Sequence, residues 1–393
     1  MASVLLTWEL GGGLGHLQRL RAIGVALAGL GHSITAAVRE LGRGEKLFQG
    51  SPIRALQAPI TVPERVPYPQ CLSYGHLLHN VFLGPEVLRN QIRAWDEVVA
   101  AVRPALVVCD HSPTALLALR GKGIPVATVG TGFCSPPVRE VLPLIQPWEE
   151  PDLQSILRHE RELLGWVNQA LSQEARPPLP RLPQLYQDVA QTCLLTFPEL
   201  DHFGTRPGGR YLGTPPSHAE SPADFPPGPG PKVFVYVEGS EGVTALLERL
   251  RDRGWPTLVV ASPLSPDLPG RIQGQALHWA RGPVDIQAAA AGCDFAISNV
   301  GHGVMSSMLL AGKPLLMLPL SVEQLLGAHR VLKLGAGLLL DLKGENAEAA
   351  LDSMAGDPSL TAASRAFAAR HRDHDGTAML QRLAHGLEGL LGD

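Results

Sequence analysis

The chain has 393 residues, 45% hydrophobic and 18% charged, which is longer than one hydrophobic core usually supports and predicts two globular domains without a long disordered segment. Its 33 basic and 37 acidic residues leave a formal net charge of −4 with no basic run, which excludes a phosphate-backbone footprint and hence a nucleic-acid partner. The five cysteines, Cys71, Cys109, Cys134, Cys193 and Cys293, lie far apart without a CxxC pair, so they read as reduced, mostly buried thiols rather than a disulfide framework or a zinc site.

The first residues, MASVLLTWELGGG, lack the basic start and longer apolar core of a signal peptide, and no apolar stretch is long enough to span a bilayer. A cytoplasmic protein is expected. Val4 to Trp8 is a β-rich apolar run, followed by a glycine cluster, the helical pattern LQRLRAIGVALAGLGH and the strand-like SITAAV, which together read as a βαβ unit. A second unit follows: the strand ALVVCD ending at Asp110, the helical TALLALRGKG and the strand IPVATVG. The stretches 61–80 and 134–150 between these units are rich in proline and aromatics and read as long loops.

The run TPPSHAESPADFPPGPGP, residues 214–231, cannot continue a helix or a central strand and marks an interdomain linker. It divides an N-terminal domain, 1–213, from a C-terminal domain, 232–393. In the second the alternation restarts with the strand KVFVYV, the helix GVTALLERLRDRG, the strands PTLVVAS and CDFAIS, the helix VMSSMLLAG and the strand PLLMLP. Alternation of this kind predicts α/β domains with parallel, doubly wound sheets, and ligands in such sheets bind beyond the carboxyl ends of the strands. A cleft between two such domains is the expected active site.

Three stretches carry chemistry. GGGLGH, Gly11 to His16, turns the first strand into the first helix; Gly12, Gly13 and Gly15 let a ligand approach the backbone, and the helix start favours negative charge. The glycines are out of phase with GxGxxG, which weakens a dinucleotide reading. His16 at that turn suits a general base, although the same residue type also supports helix starts. Asp110 ends the second strand unit, where its carboxylate can orient His16 or cap the following helix, and His111 beside it is compatible with either surrounding. In residues 298–340 a strand ends at Ser298, Gly301-His302-Gly303 opens a helix whose amides can receive a diphosphate, and Glu323-Gln324 follow the next strand as partners for sugar hydroxyls. Ser240, in Glu238-Gly239-Ser240 after the strand KVFVYV, is a second candidate phosphate contact, and Trp279 suits either base stacking or, more often for an aromatic, the core.

With these residues in place, the chain resembles the UDP-glycosyltransferase-like superfamily of GT-B fold, in particular bacterial relatives of glycosyltransferase families 1 and 28, over nearly its whole length. The family's GxxGH turn is matched by Gly12 to His16 and its strand-end aspartate by Asp110. Its donor motif is matched in spacing by Asn299-Val300-Gly301-His302-Gly303-Val304, Ser307, Ala311-Gly312-Lys313-Pro314 and Glu323-Gln324. Three residues depart from it: Asn299, Val304 and Ser307 stand where the family has a phosphate-binding histidine, a threonine and a ribose-binding glutamate. The resemblance implies two Rossmann-like domains facing across a cleft, with a last helix that can pack back on the first. It further implies inverting, metal-independent transfer of a hexose from a UDP- or dTDP-type sugar to a small or lipid-like acceptor, with no resident cofactor. His16 is the base, Asp110 its orienter, and Gly12, Gly13, Gly15, Ser240, Asn299, Gly301, His302, Gly303, Ser307, Glu323 and Gln324 are the donor-side residues. A lipid-like acceptor would bring a peripheral membrane contact; the sequence carries no signature of oligomeric state. Two rivals share the fold: a nucleotide-sugar epimerase, and a binding or scaffold protein, which the three departures favour.

Overall fold

The structure, a computed structural model, describes residues 1–392 apart from 66, 69, 217–220, 239–240, 262–267 and 342. The chain divides into two compact units, Met1–Pro215 with Gly376–Asp393, and Pro216–Asp375.

The first unit is built on β1 (Ser3–Trp8), β2 (Ser33–Val38), β3 (Ile53–Gln57), β4 (Leu106–Asp110), β5 (Val126–Gly130) and β6 (Gln191–Leu194). They form one parallel sheet in the order β3-β2-β1-β4-β5-β6. Runs such as LVVCD are buried along their whole length because helices cover both faces, which is why they are apolar without alternation. The first helix, Gly15–Gly29, turns Leu17, Leu20, Ile23 and Leu27 onto the sheet at helical spacing. The last helix, Gly376–Glu388, adds Met379, Leu383 and Leu387 to the same core, so the chain's end is part of the first unit.

The second unit repeats the design with β7 (Val233–Val237), β8 (Thr257–Ala261), β9 (Leu277–Trp279), β10 (Phe295–Ser298), β11 (Leu315–Met317) and β12 (Gly337–Leu339). Its order, β12-β11-β10-β7-β8-β9, is the first sheet's order over again and also all parallel. The proline-rich segment expected as a linker is docked in its second half. Ser221 accepts from Asp285 N at 3.0 Å, His278 Nδ1 lies 3.0 Å from Asp224 O, and Phe225 packs so tightly on Gly292 that a Cβ there would lie 3.0 Å from its ring.

In each sheet the strand order reverses once, between β1 and β4 and between β7 and β10, and these switch points are where open α/β sheets receive ligands. Trp8 at the end of β1 pairs with Asp110 at the end of β4, so the glycine turn and the aspartate are brought together by strand register alone. Ser298 pairs with Tyr236 in the second sheet, which sets the loop 299–301 over the corresponding point. Among the described residues no helix is long and apolar enough to cross a membrane.

Candidate functional site

His16, one residue into the first helix, reaches across the switch point of the first sheet. Its Nδ1 lies 3.1 Å from Asp110 Oδ1, with both side chains buried. Arg19, one turn along the helix, faces the same carboxylate: Nε donates to Asp110 Oδ2 at 2.8 Å and Nη2 to Oδ1 at 3.3 Å, while Nη2 also lies 3.1 Å from His16 Nδ1. Burial alone would push the Asp110 carboxyl up, but Arg19 and then His16 outweigh it and hold the group well below the usual carboxylate range. Asp110 is therefore a carboxylate whose Oδ1 is directed at the imidazole. It does not cap the next helix, Pro113–Leu119; that helix is capped by Glu9, whose carboxylate accepts from Ala115 N at 2.7 Å and Thr114 N at 3.1 Å. Burial raises Glu9 to about 7, with the amides of Ala115 and Thr114 pulling the other way.

The imidazole of His16 stacks on Trp8 at 5.2 Å and lies 6.2 Å from His111. His111 is buried with φ +48°, and Tyr74 Oη lies 3.1 Å from its Nε2. Burial, followed by repulsion from His16, lowers His111 to about 3, which keeps it neutral. The other nitrogen of His16, Nε2, sits over the glycine turn: a Cβ on Gly11, whose φ is +93°, would lie 2.5 Å from it. Gly12, Gly13 and Gly15 would meet no described atom within 4 Å if given a Cβ, and the first helix has no side-chain cap. Gly13, at φ +76°, is required by its left-handed backbone and Gly11 by the ring itself, whereas protein packing explains neither Gly12 nor Gly15. Gly11→Ala is expected to destabilise the fold by about 1–3 kcal/mol, from left-handed backbone strain and the displaced ring. Thermal melting of the variant checks the size of that loss.

In the second unit the loop after β10 carries Val300 at φ +65°, a strained conformation for a β-branched residue. Ser298 Oγ holds it there by accepting from Val300 N at 2.9 Å. The helix His302–Leu310 then starts on Gly301, which has no side chain with which to cap it. A Cβ at Gly301 or Gly303 would meet no described atom within 4 Å. Gly303 is exposed and Ser307, one turn further along, is half-buried on the same side. His302 Nδ1 lies 3.3 Å from Ser306 Oγ.

Other residues of the donor motif are spent inside the fold. Asn299 accepts from Glu238 N and donates to Leu318 O at 2.8 Å, strapping β10 to the ends of its two neighbours. Val304 is buried. Gln324 Oε1 accepts from Leu320 N at 2.6 Å while Gln324 N donates to the N-cap Ser321, so this side chain closes the start of the helix Val322–Leu334. Glu323 is half-buried in the same first turn. Trp279 packs on the core and donates from Nε1 to Ile272 O at 3.1 Å. Ser240 lies outside the described residues.

No family model matches the chain. The calicheamicin glycosyltransferase CalG4 is similar in structure with a TM-score of 0.72 and 18% identity, over 100% of this chain and 98% of its own. The fold is that of the GT-B glycosyltransferases. A second GT-B structure, the glycosyltransferase VinC in complex with dTDP, gives a TM-score of 0.67 at 15% identity over 99% of each chain. In sequence the chain is 26% identical over 304 residues to a PGL/p-HBAD biosynthesis glycosyltransferase of Mycobacterium tuberculosis, covering 70% of this chain and 67% of that relative.

Within this GT-B chain, Arg19 and Glu9 are residues of the candidate site that sequence reasoning passed over. The signal for Arg19 was its position three residues after His16, on the same helical face. One donor set for a soft cation exists among the described residues, His16, His111 and Cys134, with an atom from each inside 4.8 Å. The Arg19 guanidinium against His16 sets a positive charge beside it. The sequence also contains an Asp-x-Asp triplet, Asp373-His374-Asp375, in the turn before the last helix, with Asp373 3.7 Å from Arg372 Nε.

Proposed function

We propose that this chain is an inverting glycosyltransferase that moves a hexose from a UDP- or dTDP-type sugar to a hydroxyl of a small or lipid-like acceptor, without a metal ion or resident cofactor. The observation that carries the reading is the His16–Asp110 contact of 3.1 Å at the first sheet's switch point. With Nδ1 directed to the carboxylate, Nε2 is left as the basic nitrogen. His16 Nε2 takes the proton of the acceptor hydroxyl, the acceptor oxygen bonds to the anomeric carbon, and the bond to the diphosphate breaks with its electron pair leaving on phosphate. A single displacement of this kind inverts the anomeric centre. The leaving charge is received at the start of the helix His302–Leu310, whose dipole favours an anion and takes the place of a cation.

The roles of Asn299, Val304 and Gln324 within the fold also favour a second reading, a GT-B scaffold that binds no sugar nucleotide. Calorimetry with UDP and dTDP separates the two. Both diphosphates are expected to bind, with dissociation constants within about tenfold of each other, because Ser307 is a weaker ribose partner than a carboxylate. His302→Ala is expected to weaken both and to flatten the loss of affinity as pH rises, since a protonated imidazole pairs with a diphosphate and a neutral one does not. Unchanged affinity would make His302 a bystander beside the backbone amides. Absence of binding by either diphosphate at millimolar concentration would leave the scaffold.

A further inference from the structure

Two histidines and a cysteine from three separate pieces of chain meet at the carboxyl ends of the first sheet's strands: His16 on the first helix, His111 after β4 and Cys134 after β5. One donor atom from each lies within 4.8 Å of the others. The three residues are buried, at 6%, 3% and 2% exposure. Gly130, which ends β5 at φ +133°, brings the thiol beside the carboxylate: a Cβ on it would lie 3.1 Å from both Cys134 Sγ and Asp110 Oδ1.

The surroundings of each donor are those of a metal ligand. Tyr74 Oη lies 3.1 Å from His111 Nε2, while His111 Nδ1 is buried without a hydrogen-bond partner. Asp110 Oδ1 faces Nδ1 of His16 at 3.1 Å, and Thr131 Oγ1 lies 3.4 Å from Cys134 Sγ. A metal-binding imidazole has its second nitrogen held by an oxygen in this way, which orients the ring. A buried nitrogen with nothing to bond destabilises the metal-free chain, and a cation relieves it. Charge is matched as well. Arg19 sets a guanidinium beside His16, but Asp110 Oδ2 accepts from it at 2.8 Å, so the pair is neutral and a thiolate at Cys134 is left to face the cation. One thiolate with two imidazoles suits zinc and softer ions, whereas magnesium and calcium take oxygen.

We propose that His16, His111 and Cys134 form a site for zinc or a similar thiophilic divalent cation, and that its occupation switches off transfer by taking the base. Binding replaces the S–H bond of Cys134 with a bond from sulfur to the metal, the proton passing to solvent, and three protein ligands leave the fourth position to water. Whichever nitrogen of His16 gives its lone pair to the cation, the other carries the ring's proton, so no basic nitrogen remains for an acceptor hydroxyl. The way in is the glycine turn, exposed at Gly11, Gly12 and Gly15, where Gly11 lies against the His16 ring. The site stands on the cluster alone; the inhibition rests on the transfer reading above.

Cobalt(II) is the probe for the site, because a thiolate bound to it gives a charge-transfer absorption that imidazole and water do not. The full chain, reduced and freed of metal with a chelator, is expected to take up one equivalent with that band. Cys134→Ala should abolish the band, and Cys71→Ser, at the half-buried thiol outside the cluster, should keep it. His111→Asn, a residue suited to φ +48°, should weaken uptake by at least about a hundredfold, the most that loss of an outer partner costs. Zinc should displace the cobalt, raise the melting temperature of the native chain but not of Cys134→Ala, and suppress sugar transfer by the native chain until a chelator restores it. No band in the native chain, a band that survives in Cys134→Ala, or full uptake in His111→Asn would overturn the site. The band as described with transfer unaffected by zinc would uphold the site and overturn the inhibition. A chain that shows the band but transfers no sugar even when free of metal would sink the transfer reading alone.

Discussion

His16→Ala is expected to reduce sugar transfer by about 10²- to 10⁴-fold, the range general-base catalysis supplies, while nucleotide affinity stays as in the parent. The separation follows from where the groups lie: the imidazole belongs to the first unit, and the amides proposed to hold the diphosphate begin a helix of the second. His16 also packs against Trp8, so the variant will lose some stability through the space left in a buried stack. His16→Gln, which fills more of that space without offering a base, controls for this. Turnover lost in both variants, with melting temperature recovered in the glutamine, is the expected pattern. Turnover retained in His16→Ala would remove the base from the mechanism.

Much of the frame on which this rests was legible in the sequence. Runs such as SVLLTW, LVVCD and VFVYV are apolar throughout because strands of a covered parallel sheet have no wet face, and that signal is difficult to mistake. The strands that escaped notice lie at or near the sheet edges. β3 carries Arg54 and Gln57 and β6 carries Gln191 and Thr192, so neither presents an apolar run, and β9 and β12 are only three residues long. The helix Tyr74–Phe82 began inside a stretch that read as loop, because the prolines and aromatics before it mask its N-cap, Ser73, which accepts from His76 N.

The site was legible to the same depth. A histidine after a glycine turn and an aspartate at a strand end are placed by local pattern, and strand register then brings the two together. What each side chain does with its spare hydrogen bonds is not local. Asn299 spans to the backbone of Glu238 and Leu318, 61 and 19 residues away in sequence, and nothing near it announces that commitment. Glu9 reads as an acidic residue after a strand, and only the fold delivers the helix start that it caps, more than a hundred residues on. Arg19 is one turn from His16, yet its carboxylate partner is 91 residues away.

That arginine makes Asp110 the second position where a large effect is expected. In Asp110→Ala the Arg19 guanidinium, 11% exposed, is left beside His16 without its carboxylate, and removing one partner of a buried pair costs about 3–5 kcal/mol. Asp110→Asn keeps the shape but presents an amide to Nδ1, which favours the tautomer with its proton on Nε2, where the base is needed; turnover should fall by up to about 10⁴-fold. The stability term has a definite pH dependence. Because the folded carboxyl is held below its ordinary value, its contribution is complete above the unfolded pKa of roughly 4 and is lost as pH falls through the lower folded value. Urea unfolding should therefore show a gap between parent and Asp110→Asn that is widest at neutral pH and closes in strong acid. Combining Asp110→Asn with Arg19→Met should restore part of the stability, since the cation that has lost the Asp110 carboxylate leaves with it, but none of the turnover. If Asp110→Asn keeps its turnover and loses only stability, the aspartate is an anchor for Arg19 and His16 acts without it.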